Sequence, residues 1–266
     1  MTDLIRTELD QHGVLLATFN RPEVMNAING EMVTALQEVL RDASESDDVR
    51  AMVLTGEGRA FCAGADLSGN SPASSGGGET SRHRKLDRRG GSAQTVQAFA
   101  QCDVPVIGAI NGPAAGAGFG IAVCTDIRFM AASARMGTIF AMRGVATDYG
   151  TTYWLPRIVG LQTAYHMLYT GELLRAEEAL AAGLVYQVVP DEELLATTLE
   201  YARVVAGGAP LAQTLVRRQV IRNQELPMDE LLELEWSSQT IAMGTDDARE
   251  GFTAFAEKRS PEFKGH

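Results

Sequence analysis

Apolar and polar residues alternate over residues 4–9 and again over 14–19, and Gln11-His12-Gly13 joins the two runs, the pattern of a strand hairpin. From Asn29 the period changes. Met32, Val33, Leu36, Val39 and Leu40 recur at helical spacing, and the wholly apolar run 51–54 that follows predicts a strand buried on both faces. The alternation continues with a helix over 94–101, a strand over 104–110, a helix of small residues over 116–123 and a strand over 127–131. Strands that take turns with helices predict a layered α/β core. No fixed repeat accompanies them.

Beyond Asp148 the spacing is helical over 164–169, 176–181, 192–205, 211–223, 228–242 and 246–257, and 185–189 reads as the last strand. Pro210 and Pro227 punctuate this part, which divides the chain into a core over 1–206 and a helical subdomain over 207–266. Residues 68–91 are the one biased segment. Its Ser/Gly-rich first half is expected to be mobile. The second half carries Arg82, His83, Arg84, Lys85, Arg88 and Arg89, which suit either a solvated helix surface or a lid that turns cations toward a phosphate-bearing ligand.

Composition narrows the choice. The 266 residues suffice for one large core, 45% of them are hydrophobic, and the formal charge of −11 argues against a nucleic-acid surface, so a phosphate-bearing ligand needs a local basic cluster. The three cysteines, Cys62, Cys102 and Cys124, lack the spacing of a metal knuckle or redox pair, which suggests a reducing compartment. The first residues lack the order of a secretory signal, and no apolar run is long enough to span a bilayer. A cytoplasmic protein with no membrane partner is expected.

Four segments then stand in order: Asn20-Arg21-Pro22 with Asn26-Ala27; Phe61 to Leu67; Asn111-Gly112 through Gly116-Ala117-Gly118; and Leu155-Pro156-Arg157 running to Gly160. Later come Thr170-Gly171, Ala182-Gly183-Leu184-Val185, and an ending with Gly251-Phe252, Phe255, Glu257 and Lys258. The ordered set resembles the crotonase (enoyl-CoA hydratase/isomerase) superfamily over most of the chain. That resemblance implies a spiral of ββα units with a C-terminal helical trimerisation region, and a homotrimer or dimer of trimers. It implies an oxyanion hole made by the backbone amides of Ala65 and Ala117, which would hold the negative charge that develops on a thioester oxygen. It further implies that coenzyme A, as part of the substrate and not as a bound cofactor, lies along Ala63, Gly64, Ala65, Asp66 and Leu67. Phe255 and Lys258 would contact it from a neighbouring subunit. No metal is expected. Taken singly, residues 63–66 read as a tight turn and 116–120 as close helix packing, and Gly116-Ala117-Gly118-Phe119-Gly120 lacks the spacing of a dinucleotide loop.

One departure decides the chemistry. Hydratases of this family carry two glutamates at places that match Gly120 and Phe140, neither of which transfers a proton. Asp148, in Thr147-Asp148-Tyr149-Gly150, resembles the functional aspartate of dienoyl-CoA isomerases, phenylacetate-pathway isomerases and an aroyl-CoA dehalogenase. It could equally cap a helix that begins at Tyr149. A single carboxylate beside an oxyanion hole implies an isomerase that shuttles a proton; a nucleophilic role, a hydratase that draws a carboxylate from elsewhere, and a CoA-binding protein without activity are the other readings. Phe140, Tyr149, Tyr153 and Trp154 suit a bulky acyl group or simple core packing. Asp66 and Asp126 read as structural support, and His12 and His166 have no pattern of a triad or metal site.

Overall fold

The computed structural model describes residues 4–68, 90–223 and 226–266, so the expected lid over 68–91 lies almost wholly outside the described residues. Strands β1 (Ile5–Leu9) and β2 (Val14–Phe19) form the expected antiparallel hairpin. Asp10 shapes its turn by accepting hydrogen bonds from the amides of His12 (2.8 Å) and Val14 (3.0 Å). Helix α1 (Gly30–Glu45) starts where Asn29 accepts from the Met32 amide at 2.9 Å, and it buries Met32, Leu36, Leu40 and Ala43. Strand β3 (Ala51–Gly56), buried throughout, pairs in parallel with β2.

Helix α2 (Gly90–Gln101) precedes β4 (Val106–Ile110), which begins later than the apolar run suggests because Pro105 has no amide proton to enter the ladder. Then come β5 (Ala114–Ala115), α3 (Ala117–Cys124), β6 (Ile127–Ala131) and β7 (Arg135–Gly137). All eight residues of α3 are buried, which is why its sequence is apolar on every side. Helices α4 (Thr151–Val159) and α5 (Leu161–Thr170), β8 (Leu173–Arg175), α6 (Ala176–Ala181), β9 (Gln187–Val189) and α7 (Leu194–Ala206) complete this part. One sheet has the order β1-β2-β3-β4-β6-β9, parallel after the hairpin, and a second small sheet has the order β5-β7-β8. After Gly207 and Gly208 the elements among the described residues are helices: α8 (Pro210–Asn223), α9 (Met228–Met243) and α10 (Asp246–Glu257). Among the described residues no helix is long and apolar enough to cross a membrane.

Arg217 ties α8 to the core. Its side chain is only 7% exposed; Nε donates to Asp126 Oδ2 at 2.8 Å, Nη2 donates to the Phe99 carbonyl at 2.8 Å, and Nη1 donates to the Cys102 carbonyl. Two carbonyls at the end of α2 are thereby satisfied by a cation, as a helix C-terminus favours. Asp126 Oδ2 also accepts from the Val106 amide at 2.8 Å, so it supports the start of β4. Removing one partner of a buried ion pair costs about 3–5 kcal/mol, and the 30% exposure of Asp126 places Arg217→Met at the lower end. Urea unfolding is expected to show that loss, and Asp126→Asn in the same chain should add less than it costs alone.

Candidate active site

The site is built from the motif around Asn26 upward. Asn26 is fully buried, and its side chain donates to the carbonyls of Glu57 (3.0 Å) and Ala60 (2.7 Å) while accepting from the Arg21 amide (2.9 Å). Arg21 donates to the Ala27 carbonyl at 2.6 Å and to Asp66 at 2.9 Å. Asp66 also accepts from the Ser68 amide (3.0 Å) and hydroxyl (2.6 Å). The Ser68 hydroxyl first and the Arg21 guanidinium second hold the Asp66 carboxyl down to about 2. Its side chain is thus committed to holding the loop, in line with the structural role read from sequence.

The held loop carries the first amide. Ile28 N–H donates to the Gly64 carbonyl and Asp66 N–H to the Ile28 carbonyl, both at 2.8 Å, so this bridge passes over Ala65. Ala65 lies exposed, and its N–H has no hydrogen-bond partner among the described residues. On the other side, Cys62 N–H donates to the Pro113 carbonyl and Ala115 N–H donates to the Cys62 carbonyl, both at 3.0 Å. This pairing brings the two expected oxyanion segments together. Gly64, at φ 112°, sits where they meet: a Cβ there would lie 3.0 Å from the Ala115 oxygen and 3.9 Å from the Ala117 nitrogen. Only a residue without a side chain suits that conformation and that approach.

Ala117 is the first residue of α3, where amides have no acceptor within the helix, and its N–H is likewise unpaired among the described residues. Two free amides therefore flank Gly64, and one of them stands at a helix N-terminus that favours negative charge. Gly116 precedes it at φ 54°, ψ −117°. A Cβ at Gly116 would lie 3.4 Å from Ile139 Cγ1 and 3.9 Å from Phe140 Cζ, so an aromatic ring occupies the border of the site where hydratases are expected to carry a glutamate.

Gly120, one turn beyond Ala117, is equally closed to a carboxylate. A Cβ there would stand 2.4 Å from Tyr149 Cβ. Tyr149 is buried at 7% exposure, and its φ of 51° is rare for an aromatic residue and costs about 1–2 kcal/mol. Gly150 follows at φ 63°, and together they form a left-handed turn into α4.

Asp148 does not cap a helix at Tyr149. Helix α4 begins at Thr151 with Gly150 at its N-cap, and Asp148 contributes only its backbone carbonyl, which accepts from the Thr151 amide (3.1 Å) and hydroxyl (2.7 Å). No side chain caps this helix, so the Asp148 carboxylate is not used as its N-cap. The Asp148 side chain reaches solvent, yet the surrounding protein displaces part of its water, and this desolvation raises its pKa above the usual carboxylate value against the lowering effect of its own backbone amide. Ala65, Gly64, Ala117, Ile139 and Phe140 thus meet around Gly64 and Gly116, and the Asp148-Tyr149 turn adjoins them through the contact of Tyr149 with Gly120, one turn beyond Ala117. Tyr149 and Ile139 are the members that apolar spacing alone assigns to packing. The signal for Tyr149 was its place between Asp148 and Gly150.

Phe255 and Lys258 lie apart on α10. Phe255, 86% exposed, borders an apolar groove with Leu211, Met243, Phe252 and Phe263, and Lys258 ends the helix at φ 56°. Cys62 is fully buried beside Gly118, and burial pushes its thiol up to about 12. His166 bonds Glu172 at 2.9 Å on the surface. Among the described residues no three potential metal ligands cluster.

Comparison with known proteins shows the family of the chain. The family model described as enoyl-CoA hydratase/isomerase matches residues 10–266. The 1,2-epoxyphenylacetyl-CoA isomerase of Escherichia coli K12 is 36% identical over 100% of both chains. The 2,3-dehydroadipyl-CoA hydratase of the same organism is 35% identical, again over 100% of both. The crystal structure of an enoyl-CoA hydratase from Bacillus anthracis superimposes with a TM-score of 0.89 at 31% identity, covering 99% of this chain and 100% of that one. With the motifs and the fold in agreement with these relatives, the chain belongs to the enoyl-CoA hydratase/isomerase family and has the crotonase fold.

Proposed function

We propose that this acyl-CoA enzyme is an enoyl-CoA isomerase that moves a double bond by a proton shuttle through Asp148. In a 3-enoyl-CoA, the carboxylate takes the proton from C2, the electron pair moves onto the thioester oxygen, and the amides of Ala65 and Ala117 hold the resulting enolate. The carboxylic acid returns the proton at C4, which leaves the 2-enoyl-CoA and the starting carboxylate. The observation that carries this reading is the absence of a proton-transfer group at both Gly120 and Phe140, beside amides that remain free. Isomerisation needs one group that takes and returns a single proton, whereas water addition also needs a group to hold and activate a water, and neither Gly120 nor Phe140 can do so. Relatives named for isomerase and for hydratase activity are about equally similar, so the site residues carry the choice.

Coenzyme A would run along Ala63, Gly64, Ala65, Asp66 and Leu67, with Asp66 acting through the loop that it holds. Phe255 and Lys258 would serve a neighbouring subunit's site. The C-terminal helices support such an assembly, since Val216, Val220, Leu232, Trp236 and Phe252 are exposed apolar residues on α8, α9 and α10. A homotrimer or dimer of trimers is the proposed state. Sedimentation velocity should give three or six times the 28.5 kDa chain for the wild type, and Trp236→Glu, at a side chain 75% exposed in the single chain, should shift the mass toward one chain.

The function is tested by following interconversion of 3-enoyl- and 2-enoyl-CoA, with deuterium uptake from heavy water, in wild type and Asp148→Asn. Loss of both signals in the variant is expected. Equal rates in the two proteins would remove Asp148 from the mechanism. Hydration of crotonyl-CoA that survives the substitution would identify a hydratase with another carboxylate, and tight acyl-CoA binding without turnover would identify a binding protein.

A further inference from the structure

We propose that Gly120 and Tyr149 are a positioning pair for Asp148: the absent side chain at 120 admits Tyr149, and the left-handed conformation that Tyr149 then adopts fixes where Asp148 stands. This inference rests on the catalytic reading of Asp148 and deepens it.

Three observations carry it. The first is the contact itself, because a Cβ on Gly120 would lie 2.4 Å from Tyr149 Cβ and 3.3 Å from Tyr149 Cγ, separations that two side chains cannot share. The second is the strained backbone at φ 51°, which persists in an aromatic residue only where its surroundings hold it. Here they do: Tyr149 is buried, its carbonyl accepts from the Cys124 thiol at 3.8 Å, and the next turn is closed by Thr151 bonding back to the Asp148 carbonyl at 2.7 Å through its hydroxyl. The third is location. Gly120 is one turn along α3 from the free amide of Ala117, and Asp148 is the residue next to Tyr149. The helix that supplies the oxyanion donor therefore also sets the carboxylate, through the close approach of Gly120 to Tyr149 and the bond from the Cys124 thiol to the Tyr149 carbonyl.

The space above Gly120 can hold a side chain from α3 or the ring of Tyr149, but not both. A side chain at 120 would displace the turn that presents Asp148.

The test uses Gly120→Ala, Tyr149→Gly and the double variant, assayed for isomerisation with kcat and KM separated and with a pH profile. Gly120→Ala is expected to lower kcat by about 10²-fold, as a displacement near 1 Å can do, with a smaller change in KM and a shifted acid limb. Glycine at 149 keeps positive φ without strain and removes the Cβ that collides, so the double variant should recover at least about ten-fold of that loss. A folded Gly120→Ala protein with wild-type kcat and pH profile would overturn the proposal. Should Gly120→Ala fail to fold, the double variant decides: activity equal to that of Tyr149→Gly supports the pair, because the alanine then meets no Tyr149 side chain, and activity well below it overturns it. Asp148→Asn in the same assay separates the two levels. If it leaves the rate unchanged, the catalytic reading itself falls; if it abolishes the rate while Gly120→Ala does not, only the positioning role falls.

Discussion

Asp148→Asn is expected to lower the isomerisation rate by about 10²–10⁴-fold, the usual contribution of a positioned general acid–base group. Asparagine keeps the shape and removes the proton-transfer function, so acyl-CoA affinity should change little. Because desolvation raises the Asp148 pKa, activity that needs the carboxylate should fall with decreasing pH along a limb lying above the ordinary carboxylate range near 3.9. The same sign has a consequence for stability. A carboxyl whose folded pKa is raised favours the folded state when protonated and loses that advantage as pH rises through and above its unfolded value. The asparagine variant, free of that charge, should therefore be at least as thermally stable as the wild type at neutral pH. A large activity loss without a drop in melting temperature separates chemistry from folding, and a rate within about three-fold of wild type would refute the assignment.

Ala117→Pro is the second large effect. The first position of a helix accepts proline, whose missing N–H has no intrahelical role there. Gly116, at ψ −117°, also avoids the helical conformation that a following proline disfavours. The substitution therefore deletes one oxyanion donor while preserving the helix. Losing such a donor costs about 3–4 kcal/mol of transition-state stabilisation, so kcat should fall about 10²–10³-fold with circular dichroism unchanged. The thioester ground state carries less charge than the enolate, and KM should move much less. A folded variant with kcat near wild type would show that the Ala117 amide does not touch the developing charge.

Much of this architecture was legible because period and punctuation agree. The hairpin, α1, β3, β6 and the three final helices follow from apolar spacing with Asn29, Pro210 and Pro227 as boundaries. Strands β5, β7 and β8 have only two or three residues, too few for any period to show, and they become strands through their pairing partners. The segments around Gly64 and Gly116 were legible only as parts of an ordered set that resembles a family, and the structure places both glycines at positive φ. The turn at Tyr149 was not. Its conformation opposes the local preference of tyrosine and is imposed by Gly120, a residue distant in sequence, and for the same reason Asp148 resembled a helix cap. The basic residues proposed for a lid lie outside the described part of the chain.

The burial of Cys62 bears on the safety of the reaction. A thioester is an acyl donor, and a thiolate near it would capture the acyl group and release coenzyme A, ending with a self-acylated protein. Cys62 is two residues before Gly64 and three before the Ala65 amide, within the segment proposed to polarise the thioester carbonyl. With its thiol pushed up to about 12, on the order of one molecule in 10⁵ carries the thiolate at pH 7, and that thiolate is enclosed behind Gly118. In the proposed reaction the loop would activate the substrate's sulfur ester while its own sulfur stays chemically silent.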